Sequence, residues 1–150
     1  MENKVFTQQG KLMYFIFIPL IAINLFLFIE KTVQKSEESV NYYALLSVLF
    51  LVLFACFYKL TISITDSNLT FKMGIGIIKK KYPLNEIKSV KPHKNHLLNG
   101  WGVRVIPGGW LYNVSGFQSI ELTFKNNSKT IRIGTDVPEM ICEELKTKKN

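Results

Sequence analysis

Cysteine is scarce in this chain of 150 residues. Cys56 and Cys142 are the only two, far apart and without a CxxC partner. Their spacing excludes a zinc ligand set and a disulfide framework. Free cysteines of this kind behave as small buried hydrophobes. Histidine is as rare. His93 and His96 stand three apart in a segment read as a loop, with no Asp, Glu or Cys beside them, a poor metal site. The acids Asp66, Glu86, Glu121 and Asp136 are isolated along the sequence, so paired-carboxylate catalysis has no support. No glycine-lysine pair followed by Ser or Thr marks a phosphate loop, and Ser115 in "NVSG" lacks the glycines of a nucleophile elbow. No cofactor or metal is expected, and the chain does not read as an enzyme.

Charge is missing from two long runs. Leu12 to Ile29 is eighteen residues without one, and Tyr42 to Tyr58 is seventeen. At 1.5 Å rise per residue each nearly crosses a hydrocarbon core of about 30 Å, and one or two flanking residues complete the length. Both runs are apolar all round, unlike the amphipathic helices of a soluble core. Tyr14, Tyr42, Tyr43 and Tyr58 lie near their ends, where aromatic rings favour the interface. Pro19 and Asn24 interrupt the first run, and an Asn amide there needs a partner on the neighbouring helix. No small-residue cleavage site follows, so the pair reads as a hairpin and not as a signal peptide. Spans of about 12–29 and 41–58 are expected, within an anchor covering 1–59.

Positive charge, by contrast, is in excess. The formal net charge is +8. Residues 1–58 balance Lys4, Lys11, Lys31 and Lys35 against Glu2, Glu30, Glu37 and Glu38, so the whole excess falls on residues 59–150. The flank after the second run carries Lys59, Lys72, Lys79, Lys80 and Lys81. By the positive-inside rule both termini are expected in the cytoplasm and residues 30–39 outside.

From Leu60 the period changes to two. "LTISIT" and "LTFKM" alternate apolar and polar around the turn residues "DSN", a hairpin. "IIKKKY", "EIKSV", "SIELTF" and "TIRI" read as further strands. The stretch "NGWGVRVIPGGWLYNVSG", residues 99–116, holds five of nine glycines and both tryptophans. A phosphate-cradling loop would feed a helix N-terminus. Here aromatic and β-branched residues follow, so the stretch reads as strand, turn at 107–109, strand. Trp101 and Trp110 can then reach either the sheet face or the membrane interface. "DVPEMICEELK" begins with Asp136, with Glu139 at capping-box spacing and Val137, Met140, Ile141 and Leu145 on one face. About seven antiparallel strands closed by one amphipathic helix are expected over 60–150.

That order resembles the pleckstrin-homology fold, and in particular the bacterial PH-like domains attached to short membrane hairpins. The residues that carry it are "LTISITDSNLTFKMG", "KKKYPLNEIKSV" and "GWGVRVIPGGWLYNVSG" leading through "IRIGTDVPE" to the helix, roughly residues 60–147. The resemblance implies an α+β chain: a two-helix transmembrane hairpin, then a PH-like antiparallel partial barrel in the cytoplasm of a bacterial plasma membrane. Two features depart from it. The closing helix has no Trp, and the first hairpin turn, "TDSN", has no basic residue, so phosphoinositide specificity does not carry over.

The lysine cluster admits three readings. It is a solvated face, or it adheres to anionic lipid headgroups through Lys79, Lys81, Lys88 and Lys91, worth about 1 kcal/mol per residue near the surface. Nucleic acid is the third, and is not expected, because no recognition helix or aromatic platform accompanies the charge. The expectation is a membrane-anchored binding or scaffolding module. Its partners would be a protein, a second copy of itself, or anionic lipid. The alternative is an accessory subunit of a membrane enzyme or transporter.

Overall fold

The computed structural model describes residues 3–35, 37–96, 100–126 and 128–148. It contains β1 (Lys4–Gln9), α1 (Lys11–Val33), α2 (Glu37–Phe57), β2 (Lys59–Ile64), β3 (Asn68–Met73), β4 (Ile78–Pro83), β5 (Ile87–Lys94), β6 (Gly102–Ile106), β7 (Gly109–Asn113), β8 (Gln118–Phe124), β9 (Thr130–Gly134) and α3 (Pro138–Thr147).

Both early helices are long and apolar enough to cross a membrane. They pair side by side, with Tyr14 against Phe54 and Phe17 against Phe50 at ring-centroid distances of 5.3 and 6.3 Å. Asn24 is buried between them and accepts a hydrogen bond from the Ser47 hydroxyl, the interhelical partner its amide requires. Their outer faces stay open, as with Phe15 at 79% exposure and Leu45 at 72%. Large apolar surface of this kind calls for lipid as its solvent.

The strands form two sheets, ordered β1-β2-β3-β4 and β5-β8-β9-β7-β6. Period-two patterning works as read in β2 and β3: Leu60, Ile62, Ile64, Leu69, Phe71 and Met73 are all buried. They join Ile87, Ile120, Leu122 and Ile133 of the second sheet in one core, which Ile141, Cys142 and Leu145 of α3 complete.

Four features differ from expectation. First, the described residues form nine strands where about seven are expected. The strand that sequence reasoning did not place is β1, which lies before the helices and pairs residue for residue with β2, Lys4 opposite Ile64 through Gln9 opposite Lys59. Second, the sheets are not wholly antiparallel, because β9 slots between β8 and β7 and runs parallel to β7. The approach is close. A β-carbon on Gly109 would overlap the Thr130 carbonyl, while Thr130 N–H donates to the Gly108 carbonyl at 2.8 Å. Gly108 has a φ of 79° and makes the turn; Gly109 has ordinary φ and makes room for β9. Third, Asp136 does not cap α3. The cap position is Val137, whose N–H donates to Thr135 Oγ1, and Asp136 accepts instead from Gln8. Fourth, Met140 faces solvent, and Cys142 takes the expected place of Met140 in the core.

Candidate functional site

The lysines divide by strand register. On β4, Lys80 lies opposite Phe71 and shares its inward face, whereas Lys79 lies opposite Lys72 and Lys81 opposite Thr70, facing outward. Lys72 in turn lies opposite Thr61 of β2, beside Lys59 two residues back. The outer face of the first sheet thus carries Lys59, Lys72, Lys79 and Lys81 among threonines and Ser63, with no acid among its described residues. Lys59 also lies over the Tyr58 ring at 5.0 Å.

The other two expected lipid contacts lie elsewhere. Lys88 and Lys91 are on β5, an edge of the second sheet. Lys91 Nζ is 3.0 Å from Glu121 Oε1. So the structure groups Lys79 and Lys81 with Lys59 and Lys72, and places Lys88 and Lys91 on a different surface. Alternation within β4 was readable in the sequence. The cross-strand partners Lys59 and Lys72 required the register.

Glu121 is a small electrostatic centre of its own. It faces outward from β8, yet its side chain is covered by Lys91 and by Arg132, whose Nε donates to Oε2 at 2.8 Å. Burial pushes its carboxyl up, but the hydrogen bonds and charges of Arg132 and Lys91 more than offset this, and the net effect is downward. His93, which belongs to β5 and not to a loop, has Nδ1 3.7 Å from the same carboxylate. Burial, then the charge of Arg132, hold its pKa below the usual value. One carboxylate among cations is a structural ion cluster. Among the described residues its ion-pair partners are Lys91, Arg132 and His93.

A cleft of about 480 Å³ lies between the sheets. Tyr82, Trp110, Tyr112 and Phe124 supply its aromatic wall, and Lys80, Lys129 and Glu86 its charged rim. The rings pack in tilted contacts: Phe71 against Tyr112 at 4.7 Å, Tyr82 against Phe124 at 5.1 Å. Burial pushes the Tyr82 phenol up to about 12 and the Tyr112 phenol up as well, so both are hydroxyl donors at neutral pH. Trp110 remains 41% exposed at the mouth. Trp101 instead packs against Phe117 at 6.1 Å, and the neighbouring Gly102 lies close to Phe57 at the end of α2. The two tryptophans, ambiguous in the sequence, therefore part company.

The Tyr82 wall of the cleft lies away from the hairpin. Tyr82 and Ile64 both lie opposite Leu69, five residues along β2 from Lys59, where the chain leaves α2. That is about 16 Å of strand. Aromatic rings with a few donors at a partly open cleft suit an inserted apolar or aromatic group bearing an acceptor. Comparison with known proteins gives no match: no family model, curated protein or solved structure is detectably similar to the chain.

Proposed function

We propose that the protein is a membrane-anchored binding module. The hairpin spans a bacterial plasma membrane, both termini are cytoplasmic, and a PH-like domain presents the aromatic cleft to a protein partner. The observation that carries this reading is the position of the cleft. It extends to the strand ends opposite the hairpin, where a partner has access and the anchoring bilayer does not. Tyr82, Trp110 and Tyr112 are the anchoring surfaces, since large rings in a partly desolvated pocket dominate binding energy at interfaces. Lys80 at the rim offers a cation to an acidic or carboxylate-bearing segment.

Purification of the full chain in mild detergent, beside a Trp110→Ala variant, tests this. A membrane protein retained by the parent and lost from the variant supports it. Identical retention by both removes the cleft from the account. Loss of a membrane enzyme or transporter whose activity falls with it would identify the chain as an accessory subunit.

A second reading concerns the outer face of the first sheet. Four lysines without an acid, on strands that leave the hairpin directly, favour adhesion to anionic headgroups through Lys79 and Lys81 together with Lys59 and Lys72. Each is worth about 1 kcal/mol near such a surface. Lys91 contributes less, because Glu121 already neutralises it.

A further inference from the structure

Ile75 and Ile77 are 65% and 66% exposed, an apolar pair set in the turn between β3 and β4. Their position is fixed by the end of α2. The last four carbonyls of a helix lack partners within it. Ile75 N–H donates to one of them, that of Ala55, at 3.0 Å, and Gly74 N–H donates to the Lys59 carbonyl at 2.7 Å. Only glycine fits at residue 74, because a β-carbon would overlap the Ala55 oxygen and lie 2.6 Å from the Cys56 carbonyl carbon. Ala55 is two residues inside the end of α2 at Phe57, about 3 Å along the axis. The turn therefore sits level with the last turn of the helix.

We propose that residues 74–77 form a membrane-seated wedge. Ile75 and Ile77 enter the boundary between headgroups and acyl chains of the bilayer that the hairpin spans, while Lys59, Lys72 and Lys79 lie at headgroup level. This rests on the reading of α1 and α2 as membrane-spanning. Two observations commit the surface to lipid. It is continuous with the apolar helix through the Ile75–Ala55 hydrogen bond. It is also bordered by lysine: Lys79 follows Ile77 by two residues, and Lys72 lies opposite Lys79. Apolar residues flanked by cations are the pattern of a segment lying in the interface. The consequence is orientation. A domain joined to its anchor at both chain crossings and seated by a third point does not swing freely, and its cleft is held away from the bilayer.

The test uses the full chain in liposomes of mixed neutral and anionic lipid. Single cysteines replace Ile75, Ile77, Leu51 or Val105 in a Cys56→Ala, Cys142→Ala background, and each carries an environment-sensitive fluorophore. All four side chains are exposed, so these substitutions leave the core packing in place. Blue-shifted emission at 75 and 77, quenching by lipids labelled near the headgroup end of the acyl chain, and protection from aqueous iodide are expected. Position 51 should respond to deep quenchers and position 105 to iodide. If 75 and 77 behave like 105 while 51 lies in lipid, the wedge is refuted and the spanning helices stand. If 51 is also quenched by iodide, both readings fall. A blue shift that vanishes when protein is diluted in lipid would assign the isoleucines to a second copy and refute the wedge.

Discussion

The strand before the hairpin makes the sharpest prediction. Phe6 is half-buried against the common core, and Gln8, two residues on, is fully buried. The Gln8 amide donates to the Ser115 carbonyl and to Asp136 Oδ1, both at 2.9 Å, tying β1 to the second sheet. A fully buried Phe→Ala change costs about 3–5 kcal/mol, so half-burial brings Phe6→Ala to about 2 kcal/mol. Two hydrogen bonds at about 0.5–1.5 kcal/mol each, one to a carboxylate, bring Gln8→Ala to about 1–3 kcal/mol. The two residues are close enough to couple, so the double variant is not their simple sum. Urea unfolding of the full chain in detergent measures this. Both tryptophans lie in the β domain, so their fluorescence reports its unfolding while the helices remain in the micelle. With a slope of about 1–3 kcal/mol per molar urea, each single variant should lower the midpoint by roughly 1 M. Midpoints unchanged in both variants would show that β1 is not part of the cooperative unit.

Gly109→Val should lower the same midpoint by more than either, since a side chain there forces β7 and β9 apart; Ser115→Ala, whose hydroxyl makes no described hydrogen bond, should stay within about 0.5 kcal/mol of the parent. Glu121 and His93 both have lowered pKa values in the folded chain, so each contributes stability that is present at neutral pH and lost on acidification. The His93 share fades as pH falls below about 6.5 and the Glu121 share as it falls below about 4.5; a Glu121→Gln variant whose midpoint keeps the parent's full acid dependence would refute that assignment. Cysteine labelling of intact cells should reach position 34, at the end of α1, and not position 105; the reverse pattern would invert the topology.

The parts legible in the sequence are those set by local pattern. Two uncharged runs marked the helices, and alternation marked the inward faces of β2 and β3. A glycine-rich stretch that runs into aromatic residues was readable as strand, turn and strand. The parts that were not legible depend on pairing between distant segments. "KVFTQQ" has only one large inward residue, Phe6, so its short alternation carries little signal; β2 selects it as a strand. Glu121 is isolated in sequence and becomes a cluster because register sets Lys91 and Arg132 on either side of it. The cleft is assembled from β4, β7, β8 and β9 and has no contiguous motif. Gly109 falls within the expected turn, but the Thr130 backbone, which comes from a distant strand, is what requires glycine there.

The hairpin is inserted into the β domain rather than attached to its start. It joins β1 to β2, which are antiparallel neighbours, just as α1 and α2 are. Packed helices lie about 8–10 Å apart and paired strands about 4.8 Å apart, so the two segments must converge between the helix pair and the sheet. They do so at Gly10 and Tyr58, where Gly10 N–H donates to the Tyr58 carbonyl at 2.8 Å. A β-carbon at residue 10 would lie 2.6 Å from the Phe57 carbonyl oxygen, so a side chain there would hold the strands apart where pairing begins. Gly74 closes the other side of the same helix end. Two glycines thus let sheet and hairpin share one continuous hydrogen-bonded junction. A force that spreads α1 from α2 acts directly on the β1–β2 ladder, the edge to which Gln8 ties the second sheet.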